Sequence, residues 1–209
     1  MSCASFQHSM FSGFPLIVLG SVKAIRSVIL TLTHDLSQFC VQKCDGSTPD
    51  AALVAASISH VCSLCRFYDS TLPEVANSKL NINSKRYPAE LVSGSVIKYM
   101  QYMQVTGYGK QQRDTIETLI EGTHMNCNMD NILQVVIQLT AFVNECNWEK
   151  FDMPMNLLLA LIGELGELAA LLSFCSGLIE ARTKDNTICA KVLHEIADVA
   201  IYLLCLCII

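Results

Sequence analysis

A chain of 209 residues that is 52% hydrophobic and 16% charged has apolar side chains enough for one substantial core or two small ones, and most of it should be buried in itself or in a partner. Association into a homo-oligomer is therefore expected. A net charge of -5 and a pI near 5.5, with no cluster of Lys and Arg, exclude a groove built to hold a nucleic-acid backbone. Eleven cysteines, an odd number, behind an N-terminus without the basic start of a signal peptide, point to a reducing, cytoplasmic setting instead of a disulfide framework.

Residues 1 to 15 carry Ser, Gly and Pro without periodicity. From Leu16 to about Thr33 the chain is rich in Val, Ile and Leu with Lys23 and Arg26 three apart, which predicts a helix. The segment CDGSTPD, Cys44 to Asp50, has turn chemistry, and Asp50 is placed to cap a second helix from Ala51 to about Tyr68. Cys62 and Cys65 form a CxxC inside that apolar run, preceded by Cys40 and Cys44; packed thiols are the better reading and zinc the lesser one.

Ser70 to Pro73 marks a break with Pro near a helix start. The stretch EVANSKLNINSKRYP then sets Lys79, Asn83 and Arg86 on one helical face, and Pro88 should end it. Ser93 to Met103 reads as a further short helix, VTGYGKQQRD as a linker, and residues 105 to 130 as the boundary between two halves. Asp130 is placed to cap a helix from Asn131 to about Asn147, in which Ile132, Val135, Val136, Leu139, Phe142 and Val143 repeat at helical spacing. No strand of any length emerges, so the fold class is all-α.

The last third holds two apolar runs, LLLALIGELGELAALL (157 to 172) and KVLHEIADVAIYLLCL (191 to 206), separated by Thr183 to Asn186. Each contains two acids three residues apart: Glu164 with Glu167, and Glu195 with Asp198. On a helix such pairs share a face, so each can aim two carboxylates at one point. Buried acids need a partner or a metal, and an oxygen-only set suits magnesium or manganese. The competing reading, for either pair taken singly, is a solvated edge of an apolar helix. A di-iron bundle expects Glu-x-x-His, which neither pair offers, and His194 beside Glu195 lies on another helical face. Neither run is expected to span a membrane: the first carries two Glu near its centre, and the second ends in eleven uncharged residues against the roughly 20 required.

Setting VLGSVKAIRSVI, from Val18, on LIGELGELAALL, from Leu161, brings Gly20 onto Gly163 but Ser21 and Ala24 onto Glu164 and Glu167. With one gap, Leu53 and Ala56 fall where Glu195 and Asp198 stand. An internal repeat, worn in its first copy, is the reading.

The stretch NWEKFDMPMNLLLALIGELGELAALL followed by EIADVAIYLL resembles the MazG-type all-α nucleotide pyrophosphatases, and among them most the eukaryotic dCTP pyrophosphatases. There ExxE on one helix and ExxD on the next bind magnesium, so the resemblance, which covers residues 131 to 209, implies metal roles for Glu164, Glu167, Glu195 and Asp198. The family's DLPxAVxxKxxxNxxRYP segment is matched in the first half by TLPEVANSKLNINSKRYP. This implies phosphate-contacting roles for Lys79 and Asn83, with Arg86 and Tyr87 nearby. Trp148 and Tyr202 match the family's pattern, whereas Asp152 stands where the family has His and Phe174 where it has Trp. These, with Phe151, are candidates for the base pocket, and ordinary core packing is the equal alternative for the aromatic side chains Trp148, Phe151 and Phe174.

The implied fold is a helical bundle of two MazG-like units, a degenerate one over 16–104 and one with the metal motif over 131–209. The implied activity is magnesium-dependent hydrolysis of a dCTP-like nucleoside triphosphate to monophosphate and pyrophosphate, with Glu164 or Glu167 orienting the attacking water. Lys79, Asn83 and Arg86 would join the second half's acids in one composite site, within the chain or across a dimer. The alternative is a non-catalytic helical scaffold that pairs with an active relative.

Overall fold

The computed structural model of the chain describes residues 19, 22–44, 50–94, 129–148, 154–174 and 186–208. Among them there is helix and no strand. Helix α1 spans Val22–Cys44, running eleven residues beyond the expected end at Thr33. Its apolar stripe continues through Leu36 and Phe39 after Ile25, Val28, Ile29 and Leu32, all buried. Polar residues do not interrupt it, because the Thr31, Thr33 and Ser37 hydroxyls donate to carbonyls one turn back.

Helix α2, Ala51–Phe67, begins as expected: the Asp50 carboxylate accepts from the Ala52 N–H at 2.9 Å, and the Asp50 N–H donates to Gln42 on α1. Cys65 is buried and Cys62 half-buried in its core-facing side. Helix α3, Leu72–Arg86, opens with a reciprocal cap in which Thr71 and Glu74 satisfy each other's backbone N–H groups, with Pro73 in the first turn. Pro88 follows its end and precedes the single turn α4, Ala89–Val92. Of the short helix expected over Ser93 to Met103, Ser93 and Gly94 form a turn and the rest lies outside the described residues. Gly94 adopts φ 73, a conformation glycine takes without strain, and its N–H reaches the Cys146 carbonyl.

Helix α5 is Met129–Glu145, so Asp130 lies within its first turn. Helices α6, Pro154–Phe174, and α7, Asn186–Ile208, extend the two acidic runs at both ends. The α6 stretch Pro154–Ser173 is long and apolar enough to cross a bilayer by composition alone; here Leu158, Leu161 and Leu168 are fully buried, while Leu159 and Ile162 face outward.

One core joins both halves. Helices α6 and α7 pack along each other, α7 also lies against α2 and α3, α1 against α6 and α2, and α3 against α5. The linker expected over 105–130 lies almost wholly outside the described residues. Truncating a fully buried leucine here, such as Leu161, should cost about 2–5 kcal/mol. The consequence for function is that α3, from the first half, is clamped onto the acidic face of α7.

Candidate metal centre

The acids meet where α6 and α7 face each other. One carboxylate oxygen from each of Glu164, Glu195 and Asp198 lies within 4.8 Å of the others. Glu164 is half-buried because it stands beside the Leu161, Leu165 and Leu168 stripe that fastens α6 to the core. Glu167, three residues on, has turned far enough round the helix to be exposed, so three of the four sequence candidates converge and Glu167 stands at the rim.

Burial and mutual repulsion both disfavour charge in this group. Desolvation first, then Asp198, Glu167 and Glu195, push the Glu164 carboxyl up to about 7. Glu195 and Asp198 are likewise raised, desolvation leading in each, and Lys79 pulls against the rise.

Lys79 enters from α3. It is only 5% exposed, and its Nζ stands 2.5 Å from Asp198 Oδ2 and 2.5 Å from His194 Nε2. Despite the ion pair, desolvation still holds the Lys79 ammonium below its ordinary value. One lysine therefore does not neutralise three acids. Arg86, two turns along the same helix, is close enough to favour the Asp198 carboxylate and disfavour positive charge on Lys79 and His194. Asn83, half-buried, lies between Lys79 and Arg86 on α3.

Sequence reasoning set His194 aside because it does not share a face with Glu195. The signal lay in a different spacing: His194 and Asp198 are one turn apart, and their side chains approach to 4.0 Å. Desolvation, then Lys79 and Arg86, lower the His194 imidazole to about 4, so it is neutral at pH 7 and can accept a hydrogen bond from Lys79.

An aromatic group adjoins the acids. Trp148 packs edge-on against Tyr87 and Phe142, with centroid separations of 5.4 and 5.5 Å, in a small cluster with Val92 and Cys146. Tyr202, largely buried on α7, has its hydroxyl raised by desolvation and then by Glu164, Asp198 and Tyr87, which ties the cluster to the acidic face. Trp148 thus has packing partners in the chain. Phe151 and Asp152 lie outside the described residues, as does the side chain of Phe174, whose backbone closes α6.

No protein-family model and no solved structure matches the chain. Curated relatives do. The protein named dCTP pyrophosphatase 1 of Rattus norvegicus is 44% identical over 69 residues, as is that of Mus musculus, and that of Homo sapiens is 42% identical over 66. Each match covers 31% of this chain and 39% of the relative, so the chain spans about two-fifths of the length of the curated relatives it matches. Over that part of its length, the chain is dCTP pyrophosphatase-like.

Proposed function

We propose that this chain is a MazG-type pyrophosphatase that hydrolyses a dCTP-like nucleoside triphosphate between its α and β phosphates, releasing monophosphate and pyrophosphate with magnesium as cofactor. The observation that carries this reading is the gathering of Glu164, Glu195 and Asp198 around one point with a single buried lysine. The partial similarity to dCTP pyrophosphatases supports the substrate class.

The donor set fits a hard divalent cation. It is oxygen-only, already drawn within 4.8 Å, and under-neutralised, so a cation would relieve the repulsion that raises all three carboxyls. Glu164, Glu195 and Asp198, with Glu167 beside them, would hold magnesium, or manganese in its place. When bound, that ion supplies Lewis acidity and screens the charge of the triphosphate.

The chain's own residues do the rest. Glu164, or Glu167 beside it, orients the attacking water and accepts its proton. Lys79 offsets negative charge on the departing pyrophosphate, and Asn83 and Arg86 extend the donor row along α3. The face formed by Tyr87, Trp148 and Tyr202 shields the base end from water.

A second reading is favoured by one observation, the Lys79 to Asp198 ion pair, which in a helical scaffold would be a structural buried pair. Incubating the purified protein with dCTP and magnesium separates the two. Pyrophosphate release that stops with chelator and with Glu195→Gln is expected; no release from any common nucleotide by folded protein would leave the scaffold.

A further inference from the structure

We propose that Lys79 is a built-in countercharge that competes with the metal for Asp198, and that His194 is the acceptor that holds Lys79 when the metal takes its place. The inference rests on the metal-binding reading above.

The geometry leads there directly. The Lys79 ammonium has three protons to donate and almost no water around it. Two of its acceptors are Asp198 Oδ2 and His194 Nε2, both at 2.5 Å, and they lie on the same face of α7, one turn apart. Asp198 is one of the three acids drawn to a common point, so the carboxylate bonded to Lys79 is one that a cation would need. A cation and an ammonium cannot both lie against that carboxylate without repelling each other across a few ångströms. A lysine ammonium only donates, so the His194 Nε2 beside it serves as an acceptor. By accepting from Lys79, it lets the ammonium leave Asp198 without becoming an unbonded buried donor, which is the costly outcome. It also keeps Lys79 beside the acids, where a phosphate can reach it. His194 is thus a positioning residue that acts through Lys79.

The structure gives the lysine two partners within the chain, so were a cation to take Asp198, Lys79 would keep His194 as an acceptor and have a proton free to donate.

Manganese binding at fixed neutral pH, without nucleotide, tests this. Lys79→Met keeps the apolar stem and removes the charge, and should tighten manganese binding about tenfold or more. His194→Leu should weaken binding several-fold, because Lys79 then has Asp198 alone to lean on, while His194→Gln, whose amide oxygen can accept in place of Nε2, should stay near the unsubstituted protein. In the Lys79→Met background, His194→Leu should have no effect on metal affinity. Manganese binding that Lys79→Met leaves unchanged or weakens, or an equal effect of His194→Leu in both backgrounds, overturns the inference alone. No manganese binding by either the unsubstituted protein or Lys79→Met overturns both the inference and the metal reading. If Lys79→Met does not fold, magnesium titration of the unsubstituted protein followed by NMR decides. The Asp198 carboxyl 13C signal should move while His194 Nε2 keeps the 15N shift of a hydrogen-bonded acceptor; loss of that acceptor signature on adding magnesium overturns the inference.

Discussion

Among the described residues, two places inside this core hold acids, and they are built on opposite principles. On α1 and α2, Asp35 faces His60 at 3.6 Å, one acid against one base, with Asp35 only 7% exposed. On α6 and α7, three acids share one lysine. In the first place both groups are pushed toward neutrality, chiefly by burial: the Asp35 carboxyl is raised and the His60 imidazole lowered. Their facing atoms, Asp35 Oδ2 and His60 Nδ1, make no hydrogen bond. Among the described residues, the three acids on α6 and α7 outnumber the cations beside them, Lys79 and Arg86, which is not so for the one-to-one pair. On that contrast rests the proposal that the cluster, and not the pair, holds a ligand.

The comparison breaks most visibly through activity. Glu195→Gln should lower pyrophosphate release about a hundredfold or more, while Asp35→Asn should leave it within a factor of a few; initial rates with dCTP and magnesium check both. Next in size is stability. Asp198→Leu removes the ion-pair partner of the buried Lys79 ammonium, leaving it His194 as an acceptor, and should cost about 3 kcal/mol in a denaturant titration, and adding Lys79→Met should recover most of it. By the same logic, replacing Asp35 and His60 together with Leu should be neutral or stabilising by about 1–4 kcal/mol.

A smaller effect follows pH. The Glu164 carboxyl titrates near 4.5 when unfolded and about 7 when folded, so the folded protein binds the extra proton between those values. Its contribution is fully present below pH 4.5 and is lost as pH rises through 7. Glu164→Gln should therefore match the unsubstituted protein at pH 4.5 and exceed it at pH 8 by on the order of 1–2 kcal/mol without metal. Magnesium should shrink that advantage. Thermal melts at the two pH values check it.

Much of the fold was legible because apolar residues recur at helical spacing and because caps announce themselves, as Asp50 and the Thr71 to Glu74 pair do. The end of α1 was misjudged at Thr33, since the sequence shows a polar residue but not that its hydroxyl bonds back into the helix. Asp130 looks like a cap by type, yet it lies within the first turn, because where a helix begins depends on backbone angles that residue type does not dictate.

At the site, spacing put Glu164 beside Glu167 but could not say where the buried stripe of α6 ends, and that edge passes between them. The partnership of Lys79 with Asp198 spans 119 positions, so no local pattern contains it; the family resemblance alone suggested a composite site. His194 was judged against Glu195 when its neighbour in space is Asp198.

On the proposed function, Glu164, Glu195 and Asp198 carry unmet negative charge that a divalent cation satisfies. Thermal melting in chelator against millimolar magnesium tests it most directly, because a ligand that binds the folded chain raises the midpoint by mass action. The account expects magnesium to raise the midpoint of the unsubstituted protein by several degrees and to leave Glu164→Gln/Glu195→Gln unmoved. An unsubstituted protein whose midpoint is the same with chelator and with magnesium would contradict it.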